Sequence, residues 1–161
     1  MSTNNNQLTE LEISNLVNKN ETKGRKYFLQ IVHLLFPDYQ EVKFSDLQFS
    51  KWDSAVLMKD GEKYLIEIKC REMNSDRHPD YMIEEKKYEY LMNQVNNGYT
   101  PIYVNFFWDN TCLVWNLEEQ TEIGKKEVYC NKVTVNPNAG KTLKTRNMLL
   151  SRNAKRYTYQ R

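Results

Sequence analysis

Residues 49–72 read FSKWDSAVLMKDGEKYLIEIKCRE. Two apolar runs flank Asp60-Gly61, a dipeptide that favours a tight turn between paired strands. The expected hairpin covers roughly residues 52–58 and 62–70. Alternation along its second strand puts Tyr64, Ile66, Ile68 and Cys70 on one face. Leu65, Glu67 and Lys69 share the other. A strand so apolar on one face belongs in the middle of a sheet. Burying part of a carboxylate there is costly unless it is paired or holds a metal.

The register of the hairpin decides what Glu67 faces. If Lys59-Asp60-Gly61 is a three-residue turn with Gly61 left-handed, Met58 pairs with Glu62. Asp53 then lies opposite Glu67, with Lys69 beside them. Like charges directly opposite are destabilising, and a divalent cation between them removes the penalty. A two-residue turn would send Asp53 to the opposite face and abolish the pair. Two carboxylates with a backbone carbonyl on neighbouring strands make a hard oxygen site suited to Mg²⁺ or Mn²⁺. Such ions bind phosphate oxygens and activate water, which points to phosphodiester hydrolysis. Lys69 is placed to orient that water or to offset charge building on the phosphate.

On the amino-terminal side, residues 1–6 suggest a frayed tail. LTELEISNLVNK predicts a short helix, and ETKGRKYFLQIVHLLFP a stronger one, stopped by Pro37. YQEVKFS predicts a strand. After the hairpin, EMNSDRHPD is a polar loop. YMIEEKKYEYLMNQVNNG predicts a helix with Ile83, Lys87, Leu91 and Gln94 along one side, ended at Asn97-Gly98. TPIYVNFFW and TCLVWNL form a second hairpin around Asp109-Asn110, and KEVYCNKVTV a further strand. Residues 138–161 predict a basic carboxy-terminal extension to a single domain spanning 1–161. The expected class is α/β, of the α+β kind: a mixed sheet with helices packed on it.

WDSAVLMKDGEKYLIEIKCR resembles the D…(D/E)-x-K signature of the PD-(D/E)XK nuclease superfamily, and the element order resembles that family's restriction-endonuclease-like αβββαβ core. The resemblance spans roughly residues 21–117. It implies a Mg²⁺- or Mn²⁺-dependent nuclease acting on DNA. Asp53 and Glu67 would be metal ligands, with the Ile68 carbonyl a third, and Lys69 the catalytic lysine. Lys87 fills the polar position that many members carry on the following helix, with Glu84 as a possible companion. Trp52 stands where many members have proline. Gln30 and His33 stand on the first amphipathic helix where many carry glutamate, leaving Glu21 as the supporting candidate. A chain this small suits a homodimer or a partner protein.

Charge asymmetry supports a nucleic-acid partner. Residues 1–124 hold 13 Lys/Arg against 20 Asp/Glu, whereas residues 125–161 hold 10 against one, Glu127. Lys141, Lys144, Arg146, Lys155, Arg152 and Arg156 are spaced for binding phosphates without base readout. Three cysteines without Cys-x-x-Cys spacing argue for a reducing compartment and against structural zinc. The opening lacks signal-peptide character, and no apolar run reaches the length of a membrane span, so the expectation is a cytoplasmic protein. Two rivals stay open. One is a catalytically inactive nucleic-acid- or protein-binding module on the same fold. The other is an interaction protein in which the hairpin charges are solvated decoration.

Overall fold

The computed structural model describes residues 10–46, 50–133 and 136–161. The expected tail over residues 1–6 lies outside them. The first element is a single helix, α1 (Glu10–Leu35), where the sequence predicts two. Gly24 reads as a break but serves a different purpose. A Cβ there would lie 2.9 Å from Ile68 Cγ2, so the glycine lets the unbroken helix approach the sheet closely. Tyr27, Phe28, Ile31 and Val32 form the buried stripe of α1.

The chain then makes an antiparallel meander of β1 (Tyr39–Phe44), β2 (Ser54–Met58) and β3 (Lys63–Arg71). A short strand, β4 (Asp80–Glu84), leads directly into α2 (Glu85–Asn93). β5 (Tyr99–Phe107) returns parallel to β3, and β6 (Thr111–Asn116) pairs antiparallel with β5. β7 (Ile123–Val133) and β8 (Asn136–Leu150) form a long hairpin, and β9 (Lys155–Thr158) closes one edge. The main sheet runs β1-β2-β3-β5-β6-β9, and a smaller sheet runs β4-β8-β7. The order α1-β1-β2-β3-α2-β5 agrees with the αβββαβ order expected from the sequence, with β4 inserted before the second helix.

β3 is central, and its two faces serve different layers. Ile66 and its neighbours Ile102, Val104 and Phe106 pack under α1. On the opposite face, Leu65, Tyr103, Phe107 and Trp115 pack against Leu91 of α2 and against Tyr81, Ile83 and Leu149 of the smaller sheet. That second face also carries Glu67.

Two expectations need correction. Tyr81, Met82 and Ile83 belong to β4, not to the first turn of α2. Hydrophobic residues just before a helix-forming run look helical in sequence, but here they pair with Leu149, Met148 and Asn147 of β8. The carboxy-terminal stretch is not an appended tail either. It forms β8 and β9, because β7, β4 and β6 supply hydrogen-bonding partners that no local pattern discloses.

The turn at Asp60-Gly61 has three residues. The Met58 N–H donates to the Glu62 carbonyl at 2.8 Å, and Gly61 has φ +92°. Val56 pairs with Tyr64 and Ser54 with Ile66. Asp60 Oδ1 accepts the Glu62 N–H at 3.0 Å, fixing the turn from within. No atom lies within 4 Å of a Cβ built on Gly61, so a side chain there meets only backbone strain. Gly61→Ala is expected to cost about 1–2 kcal/mol, read from the denaturation midpoint at unchanged m-value. An unchanged midpoint would contradict the left-handed turn.

Candidate metal centre on the central strand

Continuing the β2–β3 register by one residue sets Asp53 opposite Glu67. The regular ladder itself ends at the Ser54–Ile66 pair, and just beyond it Asp53 is tied to β3 by two further bonds. The Asp53 N–H donates to the Ile66 carbonyl at 2.9 Å, and the Ile68 N–H donates to Asp53 Oδ2 at 2.7 Å. Asp53 is therefore held by its main chain and by one carboxylate oxygen, at the point where β2 begins.

Glu67 is 7% exposed. Its Oε1 accepts from Lys87 Nζ at 2.7 Å. Its Oε2 is buried and receives no donor. The Asp53 carboxylate, another acceptor, faces Glu67 from the start of β2. Burial first, and then the Asp53 charge, push the Glu67 carboxyl up to about 8, although Lys87 works the other way. A buried acceptor facing a second carboxylate is the environment a divalent cation relieves, so the donor chemistry fits the hard ion that the sequence implies. Among the described residues no group of three or more His, Cys, Asp or Glu side chains converges. The candidate donors expected from the sequence therefore include two acidic side chains and not three, a set suited to an ion that keeps several waters.

Lys87 sits on the first turn and a half of α2, and β4 and the smaller sheet set where that turn lies. Burial lowers its amine, but the charge of Glu67 and their hydrogen bond, helped by Asp53, outweigh this and hold it above the ordinary lysine range. Lys69 has a different environment. Burial, followed by repulsion from Arg71, Lys87 and Arg146, moves its amine down, and Glu67 only partly opposes them. It makes no hydrogen bond or ion pair among the described residues.

Sequence reasoning missed two neighbours. Arg71 follows Glu67 and Lys69 on the same face of β3, and it is buried. Its Nη2 donates to the Met82 carbonyl at 2.7 Å and to the Tyr103 hydroxyl at 3.1 Å, while Nε donates to Asn105 Oδ1. Asn105 is fully buried and is paired with Lys69 across β3 and β5. The signal was present: Asn105 is the one amide within the apolar run IYVNFF, and Arg71 continues the period-two pattern.

The other expected residues scatter. Ile68 sits between Glu67 and Lys69 on β3, with its side chain against the α1 layer. Glu21 lies on α1 and forms no hydrogen bond or ion pair among the described residues. Glu84 ends β4 instead of lying on the helix face of Lys87, and it pairs with Arg146 at 3.1 Å. Arg146 is itself buried. Lys141 and Lys144 lie on β8, and Lys155 and Arg156 on the edge strand β9. Arg152 pairs with Glu122 at 3.0 Å, and Arg156 donates to Ser75 Oγ at 3.1 Å. His33 is exposed on α1. Trp108 is also exposed.

No family model and no curated protein matches the chain. Among solved structures it is similar to Hjc, a Holliday junction resolvase from the archaeal hyperthermophile Archaeoglobus fulgidus. Identity is 14%, with 63% of this chain and 82% of that chain covered at a TM-score of 0.45. At that level the functional reading rests on the site itself. No helix among the described residues is long and apolar enough to cross a membrane.

The raised carboxyl of Glu67 gives a pH dependence of definite sign. Its folded pKa of about 8 exceeds the ordinary value of 4.5, so the folded state holds the proton more tightly. That contribution is fully present below pH 4.5 and is lost as pH rises through about 8. Without divalent cations, thermal stability should decline across this window by more in the wild type than in Glu67→Gln. Added Mn²⁺ should restore it most at the alkaline end. Parallel curves for wild type and Glu67→Gln would contradict the placement of Glu67.

Proposed function

We propose that this chain is a divalent-metal-dependent nuclease that hydrolyses phosphodiester bonds of DNA. The observation that carries the reading is the buried Glu67 carboxylate, set opposite Asp53 with its Oε2 receiving no donor and Lys69 on the same strand face. Asp53 and Glu67, with the Ile68 carbonyl, would hold Mg²⁺ or Mn²⁺. Bound there, the ion would lower the pKa of a coordinated water and neutralise phosphate charge.

The chain's own groups supply the rest. Lys69, without a protein partner among the described residues, directs its ammonium toward charge that builds on the phosphate. Its lowered pKa would ease proton movement through the amine, and its place two residues from Glu67 on the same strand face would let it orient an attacking water. Lys87 holds Glu67 Oε1 and leaves Oε2 for the cation, which makes it a positioning residue. Arg71, fixed to β4 and β5 through Met82, Tyr103 and Asn105, keeps the floor of the site rigid.

A second reading has one observation in its favour. The Lys87–Glu67 ion pair at 2.7 Å already compensates one site carboxylate without metal, as an inactive binding module on this fold would require. Supercoiled, linear and single-stranded DNA incubated with Mg²⁺, Mn²⁺ or EDTA separates the two. The nuclease reading predicts cleavage that EDTA abolishes, reduced about a hundredfold or more in Glu67→Ala and in Lys69→Ala. Cleavage surviving both substitutions would discard the site. Salt-sensitive binding with no cleavage under any metal would establish the inactive module.

A further inference from the structure

We infer that the β7–β8 hairpin is a nucleic-acid-gripping arm that follows the phosphates of a duplex and leads them to the carboxylates. The identity of the partner rests on the nuclease reading; the surface itself rests on charge and topology.

Residues 123–150 contain six Lys/Arg and one acidic residue, Glu127. The body of the chain has the opposite balance. β4 pairs with β8 only over residues 146–150, while β7 pairs with β8 back to Lys141. Residues 141–145 are therefore held by β7 alone, as a two-stranded ribbon about 17 Å long before its irregular tip, at roughly 3.4 Å per residue. That is about half a helical turn of B-form DNA. A ribbon of this width fits the major groove or lies along its phosphate rim.

The register places the cations. Lys126 is opposite Arg146, and Val128 is opposite Lys144, so Lys126, Lys144 and Arg146 share one ribbon face. No acidic residue stands at those four positions. Lys126 and Lys141 are exposed. Leu143 is 56% exposed beside them, without a core to enter.

The root of the ribbon is fastened to the catalytic helix. Lys125 pairs with Glu85 at 2.9 Å, and Arg146 pairs with Glu84 at 3.1 Å. Glu84 caps and Glu85 opens the first turn of α2, the turn that carries Lys87, which holds Glu67. Arg146 lies close enough to Lys69 to repel its ammonium. The ribbon's exposed cations thus lie on an element joined to the site through α2, with the two cations at its root, Lys125 and Arg146, held by Glu85 and Glu84.

Edge strands also use lysine to repel other strands, so the test must tell a DNA surface from edge protection or an interface between copies of this chain. The full-length protein with Lys126→Gln, Lys141→Gln and Lys144→Gln is compared with the wild type. A control carries Lys26→Gln, Lys43→Gln and Lys59→Gln, an equal charge loss elsewhere on the surface. Binding of a short fluorescent duplex is followed by anisotropy in EDTA across a salt series, with circular dichroism to check folding and sedimentation to check self-association. The expected result is at least tenfold weaker binding at low salt for the ribbon variant. Its slope of log K against log salt should flatten by about 0.9 for each phosphate that is no longer neutralised. The control should change far less. Equal slopes for ribbon variant and wild type would overturn the proposal. So would an unchanged affinity accompanied by loss of a dimer, which would make the ribbon an interface between copies. Cleavage is scored separately. A flattened slope without cleavage under any metal keeps the arm and rejects the nuclease; cleavage with an unchanged slope does the reverse.

Discussion

A carboxylate buried on a central strand and facing a second carboxylate is a costly arrangement, and the rest of this structure is organised around making it tolerable. The hairpin brings the two together, since Gly61 at φ +92° and the three-residue turn set a register that, extended one residue past the Ser54–Ile66 pair, places Asp53 by Glu67. α2 then supplies Lys87 to one oxygen of Glu67, and the Ile68 N–H satisfies one oxygen of Asp53. What remains uncompensated is the buried Glu67 Oε2, without a donor on a centrally paired strand and with the Asp53 carboxylate facing it. Such a locus is unfavourable for the bare protein and favourable for a hard cation carrying water and phosphate.

Arg71 and Asn105 meet the same constraint from the other side. A guanidinium in the interior is tolerated because three groups on two different strands, β4 and β5, accept its hydrogen bonds. Those bonds tie β3, β4 and β5 together just beyond Lys69. Breaking the set leaves a buried charge without partners, which costs more than any one of its bonds contributes. The smaller sheet therefore packs the second core and also sets the position of the polar residues around Lys69. Through Glu84 and Glu85 it connects that region to the β7–β8 ribbon.

Much of this was legible in the sequence where the signal is local. Alternation along YLIEIKC assigns the two faces of β3, and Asp60-Gly61 with its flanking apolar runs gives the register to the residue. The amphipathic stretch around Phe28 and Ile31 gives the helix under the sheet. The failures share a physical origin in long-range pairing and close packing. Gly24 looks like a helix break until Ile68 is seen against it. Residues 81–83 look helical because the strand they join, β8, lies far downstream in the chain. Arg146 looks like a free surface cation until Glu84 and the smaller sheet enclose it. Lys87 was reachable because α2 is short and only one of its faces points inward, whereas the bond it makes to Glu67 depends on the tertiary placement of α2.

Everything said of the site requires Asp53 and Glu67 to act together in holding one divalent cation. The most direct measurement is Mn²⁺ binding, followed by the electron-spin-resonance signal of free Mn²⁺, in the wild type, Asp53→Asn, Glu67→Gln and the double variant. One saturable site is predicted in the wild type, with a large loss in either single variant. The double variant should be little worse than the singles, because both remove the same site. Equal Mn²⁺ affinity in all four proteins, or losses that add independently, would contradict a shared site.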